Sequence, residues 1–129
     1  GVEIGFPIIA DLSMQVAKAY GMIQPGASDT SAVRATFVID PEGTVRLRLT
    51  YPMEIGRNID EVLRSLRALQ KSDDDGVAAP ADWPNNEKFD DQVLLSPPGT
   101  EADAAARKAE AAADDDLNYY DWWFVTRDQ

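Results

Sequence analysis

Ala35-Thr36-Phe37-Val38-Ile39, then Asp40-Pro41-Glu42-Gly43, then Val45 to Tyr51 leave this chain few ways to fold. Ala35 to Ile39 is a near-continuous apolar run rich in strand formers, the composition of a strand buried on both faces. Pro41 and Gly43 take the second and fourth places of a type I turn. Beyond it, Val45, Leu47, Leu49 and Tyr51 alternate with Arg46, Arg48 and Thr50, the period of a strand half buried and half wet. Together they predict a β-hairpin. Arg34 stands where the incoming chain meets the first strand, so a rigid neighbour holds its guanidinium at the mouth of the sheet. A fixed fork of donors there suits a thiolate, an oxyanion or a carboxylate. An arginine capping a strand end and paired with a local carboxylate has the same pattern, and the residues alone leave both readings open.

The flanking elements follow from the same rules. Phe6 to Ala10 reads as a short buried strand that tolerates Pro7 near its start. Asp11 to Ser13 offer N-caps, and Met14 to Tyr20 place Val16, Ala17 and Tyr20 on one helical face closed by Gly21. Gly21 to Thr30, with Pro25, Gly26, Ser28 and Asp29, is a loop by composition. It delivers the chain to Arg34 and so controls how that side chain is presented. After the hairpin, Asn58 with Glu61 three residues on predicts a capped helix start. Ile59, Val62, Leu63, Leu66 and Leu69 recur at helical spacing, a stripe expected to lie on the hairpin's sheet. Ser72 to Gly76 is a polar, acidic break, after which packed structure is expected to be sparse. Phe89 to Leu95 can add one short strand, and Thr100 caps an alanine-rich helix to about Ala113 with Asp103 at its third place. Five aromatics fall among the six residues Tyr119 to Phe124, too many to leave in water, so they anchor this end to its own core or to another subunit.

Composition narrows the chemistry. The 129 residues suit one domain and contain no cysteine and no histidine. This chain therefore has no thiol nucleophile and no thiolate metal site, and lacks the commonest general base and metal ligand. No metal or cofactor is expected. No apolar run approaches the roughly 20 residues of a spanning helix, and the expectation is a soluble, cytoplasmic protein that does not enter a membrane. Net charge is −11, with eight acids and eight bases in residues 1–72 but fifteen acids and four bases in residues 73–129. That excess argues against a basic face for nucleic acid. Asp outnumbers Glu sixteen to seven and Arg outnumbers Lys eight to four, which fits a surface hydrated in concentrated salt.

The segment Ala32-Val-Arg-Ala-Thr-Phe-Val-Ile-Asp-Pro-Glu-Gly43, with Phe6-Pro-Ile-Ile-Ala-Asp11 before it and Gly56-Arg-Asn-Ile-Asp-Glu61 after it, resembles the C-terminal half of a peroxiredoxin of the 1-Cys type. Pro80-Ala81-Asp82-Trp83 resembles the family's segment that leads out of the core into a C-terminal arm, and Asp121-Trp122-Trp123-Phe124 resembles the branch's archaeal members. The resemblance implies an α/β fold: the C-terminal half of a thioredoxin-like core in the order β-α-β-hairpin-α over residues 1–72. An extended, acidic dimerisation arm over 73–129 then carries Trp83, Tyr120, Trp122, Trp123 and Phe124. It implies that Arg34 lies beside the peroxidatic thiolate as a catalytic residue and that Arg57 supports it. The family's defining motif, P-x-x-x-[TS]-x-x-C, is not in this sequence, and Tyr119 and Val125 stand where archaeal relatives often have cysteines. The expected partners are therefore an N-terminal half carrying the peroxidatic cysteine, a second copy of the chain in a homodimer, a peroxide and an external thiol reductant. This chain alone is expected to be inactive. The alternative is a non-catalytic oligomerisation module derived from the same family.

Overall fold

Asp40 to Gly43 turn the chain back on itself with the bonds the sequence predicts. Gly43 N donates to the Asp40 carbonyl at 3.0 Å, and the Asp40 carboxylate accepts from Thr44 N at 2.8 Å. Gly43 has φ 85°, a left-handed conformation that costs a residue without Cβ little. The computed structural model describes Gly1, residues 3–23 and residues 33–129, so the part of the expected loop over residues 24–30 lies outside the described residues. On this turn β1 (Arg34–Ile39) and β2 (Val45–Tyr51) form an antiparallel pair with Arg34 opposite Tyr51 and Phe37 opposite Arg48. A register shift between Val38 and Ile39 absorbs one extra residue beside the turn. Arg34, Thr36 and Val38 thus share one face with Leu47, Leu49 and Tyr51, while Phe37 and Arg48 share the other. Along β1 the side chains from Arg34 to Val38 are only half-buried and Ile39 is exposed, a departure from the fully buried strand the apolar run predicts.

Ahead of the hairpin, α1 is a short helix, Gln15–Ala19. Its free amides are met by Asp11, whose carboxylate accepts from Val16 N at 3.0 Å and Ala17 N at 2.8 Å. Tyr20 then sets its ring edge-on to Phe37, 5.1 Å between centroids. Phe6 to Ala10 forms no strand: Phe6, Ile8 and Ile9 are 69%, 68% and 70% exposed. A strand needs a neighbour to satisfy its backbone, and no described strand pairs with this segment.

Two compact units are present, Gly1–Arg57 and Asn58–Gln129. α2 (Ile59–Asp75) opens on Asn58, whose side chain accepts from Glu61 N at 3.1 Å. The acidic stretch expected to break the helix continues it, with Lys71 and Asp75 paired at 2.8 Å one turn apart. Gly76, at φ 65°, closes it with its N–H on the Ser72 carbonyl.

β3 (Val77–Ala78) follows at once, and β4 (Val93–Leu95), β5 (Leu117–Asp121) and β6 (Phe124–Arg127) complete an antiparallel sheet in the order β3-β4-β6-β5. α2 packs beside β3, and α3 (Glu101–Ala113) beside β5. α3 starts on Thr100, which accepts from Asp103 N at 3.1 Å, as the sequence predicts. The expected extended arm therefore carries its own sheet, with Val77, Val93, Leu117 and Val125 as its buried apolar core. Thr126, next to Val125 and on the opposite face of central strand β6, is also buried, its hydroxyl donating to Gln92 Oε1 at 2.6 Å. Among the described residues no helix is long and apolar enough to cross a membrane.

Candidate active site

Arg34 is the first residue of β1, half-buried, on the hairpin face that carries Leu47, Leu49 and Tyr51. Its position follows from local chemistry. Val33 N is fixed to the Met22 carbonyl at 2.8 Å just before the strand, and pairing with Tyr51 fixes the strand itself. The turn Pro52–Ile55, closed by Ile55 N on the Pro52 carbonyl at 3.2 Å, brings the Ile55 carbonyl to Arg34 Nη1 at 3.4 Å. That neutral carbonyl is the side chain's hydrogen-bond partner, and no carboxylate pairs with Arg34 among the described residues. Among those residues the local ion pair that would have made Arg34 a strand-end cap is absent. With one Nη1 hydrogen engaged there, the other four of the five guanidinium N–H groups meet no acceptor among the described residues. A half-buried cation in that condition favours an anion or a developing negative charge.

Arg57 stands two residues beyond Ile55, exposed and with no ion pair among the described residues. Arg34's bond to the Ile55 carbonyl falls two residues before Arg57 in sequence. The aromatic residues assigned to the arm do not form one patch. Tyr120, Phe124 and Trp123 stack together with Phe89, whose part the residue pattern did not reveal, at centroid distances of 5.2 to 5.6 Å. Trp122 is 50% and Trp123 53% exposed at the β5–β6 turn, and Trp122 lines a groove of about 580 Å³ with Pro98 and Thr100 at the start of α3. Trp83 is engaged elsewhere, its indole N–H on the Asp91 carbonyl at 2.8 Å. Among the described residues no group of three or more acidic, histidine or cysteine side chains is placed to hold a metal ion.

A strongly shifted carboxyl lies remote in sequence from Arg34 and is structural in character. Glu61, in the first turn of α2, takes Arg64 Nε at 2.6 Å, Arg64 Nη2 at 2.8 Å and Ser65 Oγ at 2.9 Å. Hydrogen bonds from Arg64 first and Ser65 second hold it down at about 2, from an ordinary 4.5. A depressed folded-state value means the pair's stabilisation is complete above about pH 4.5 and is lost as pH falls toward about 2. Both side chains are roughly a third exposed, so solvent limits the effect to about 1 kcal/mol or less. Glu61→Gln is expected to lower stability by that amount at neutral pH, with the gap to the parent closing between about pH 4.5 and 2 in urea titrations. A gap that persists unchanged at the acid end would show that the charge is not what matters.

Residues 2–48 match the AhpC/TSA family model. A peroxiredoxin of Archaeoglobus fulgidus is 51% identical over 123 residues, covering 95% of this chain and 56% of the relative. Among solved structures, a yeast mitochondrial 1-Cys peroxiredoxin is similar with a TM-score of 0.73 at 35% identity, covering 97% of this chain and 57% of that one. A cysteine-to-serine mutant of the peroxiredoxin 6 of Arenicola marina gives a TM-score of 0.74 at 26% identity, covering 100% and 58%. The chain spans little more than half the length of each of these relatives.

Proposed function

We propose that this chain, a member of the peroxiredoxin family matching about half of its relatives' length, supplies the active-site arginine and subunit-contacting region of a thiol-dependent peroxidase. The reactive cysteine stands on a further segment, on the same polypeptide or a second one, since this sequence has none. The substrates are hydrogen peroxide and organic hydroperoxides. In the reaction the cysteine thiolate attacks one peroxide oxygen and the O–O bond breaks. The departing oxygen takes a proton and leaves as water or alcohol, and the sulfur becomes a sulfenic acid that an external thiol reduces. Arg34 attracts the thiolate, orients the peroxide and stabilises charge on the departing oxygen. Arg57 supports it from the chain beyond Ile55.

The observation that carries this reading is the half-buried Arg34 guanidinium, bonded to the neutral Ile55 carbonyl at 3.4 Å and unpaired with any described carboxylate. Trp83, Tyr120, Trp122, Trp123 and Phe124 belong to the region that meets a second subunit in a homodimer or larger assembly, working in a cytoplasm adapted to salt. A second reading, an oligomerisation module without catalysis, draws on the exposed Trp122 and Trp123 and the absence of a thiol.

The test combines native mass with a peroxide-reduction assay. The chain alone is expected to give no turnover, and adding the cysteine-bearing segment is expected to form a complex that reduces peroxide. A stable homodimer that neither binds that segment nor raises its activity would sink the peroxidase reading and leave the oligomerisation module.

A further inference from the structure

We propose that Arg48 is a positioning residue for Arg34; the inference rests on the peroxidase reading above. Arg48 lies on the hairpin face opposite Arg34, since it pairs with Phe37 whereas Arg34 pairs with Tyr51. It therefore acts on the route by which the chain enters β1 and not on the reacting atoms. Its Nη2 donates to the Gly21 carbonyl at 3.1 Å, just past the end of α1. Its Nε donates to Thr50 Oγ1 at 3.1 Å on its own strand. The same guanidinium lies 5.3 Å from the centroid of Phe37 on β1, and Phe37 in turn is met by the ring of Tyr20.

One planar group thus joins α1 to both strands of the hairpin. The next residue after Gly21 completes the arrangement: the Met22 carbonyl takes Val33 N at 2.8 Å, and Val33 immediately precedes Arg34. The chain leaving α1 and the chain entering β1 are tied together one residue before the active-site arginine, and Arg48 backs that tie. Without it, the Gly21 carbonyl loses its donor and the backbone that aims Arg34 gains freedom. Lysine cannot replace it fully, because a point charge does not bond two acceptors and stack on a ring with one fixed plane.

The test uses the complete peroxidase, this chain together with its cysteine-bearing segment. kcat/KM for hydrogen peroxide is measured for the parent, Arg48→Leu, Arg48→Lys, Arg34→Ala and the Arg34→Ala/Arg48→Leu double variant. Amide exchange at Val33 is followed beside it. Arg48→Leu is expected to lower kcat/KM about tenfold and speed exchange at Val33, with Arg48→Lys recovering part of the rate. In the Arg34→Ala background the same change is expected to cost nothing further, the non-additivity that separates positioning from general support of the fold. An unchanged rate in Arg48→Leu, or an equal loss in both backgrounds, would overturn the inference. If Arg48→Leu does not fold, Arg48→Lys in the two backgrounds decides the matter by the same comparison. Parent-like activity in Arg34→Ala would instead remove the role of Arg34 itself.

Discussion

Alanine at position 34 is expected to slow peroxide reduction by the complete enzyme about 10²- to 10³-fold while leaving the fold of this chain intact. The size of the effect comes from where the cation sits. Arg34 is half-buried at the start of a paired strand, and its one described hydrogen bond goes to a neutral carbonyl at 3.4 Å. Among the described residues its other donors meet no acceptor, and on the proposed peroxidase reading removing them takes away stabilisation needed mainly when charge shifts between sulfur and oxygen. The structural loss is small by comparison, since the hairpin pairing does not involve the side chain. Arg34→Lys is expected to recover only part of the rate, because a point charge lacks the planar fork. Stopped-flow peroxide reduction beside circular dichroism checks both parts. A parent-like rate in Arg34→Ala would end the catalytic assignment, whatever the fold does.

Val93→Asp is expected to unfold Asn58–Gln129. Val93 is fully buried on β4, between β3 and β6, in a core whose other buried apolar members are Val77, Leu117 and Val125. Burial of a valine side chain contributes about 1.5–3 kcal/mol, and an unpaired carboxylate in its place adds a cost of several more. So small a core has no reserve against that sum. The near-UV circular dichroism of the tryptophans and the amide protection of β6 are expected to vanish together. Trp122→Ala, at a half-exposed turn position, is the control and is expected to change stability by about 0.5 kcal/mol or less. A Val93→Asp protein with parent-like β6 protection would show that this sheet is not held by the core described.

What could be read from the residues was whatever is decided within a few positions. The Asp40–Gly43 turn, the β1–β2 pairing, the Asn58 and Thr100 caps and the span of α3 all depend on neighbours one turn or one hairpin away. Family resemblance pointed to Arg34, because its motif is local too. The apolar run Phe6–Ala10 misled for a physical reason: hydrophobicity and β-propensity describe a strand's surface, but only a bonded partner makes the strand. The acidic run Asp73–Asp75 misled in the other direction, since Lys71 and Arg127 offset the charge that suggested a break.

Tertiary structure alone decided the rest. The β3-β4-β6-β5 order joins β4 to β3 and β6 across long separations, and strands of two to five residues carry no periodicity of their own. It also decided that Phe89 joins Tyr120 and Phe124 and that the Ile55 carbonyl meets Arg34. Arg48's reach back to Gly21, across a face that alternation marked only as wet, belongs with these. By itself the sequence determined that the Arg34 side chain brings a planar fork of donors and a fixed charge, because residue type sets donors, charge and shape. How that side chain is aimed waited on the fold, because aim depends on backbone bonds to residues distant in sequence.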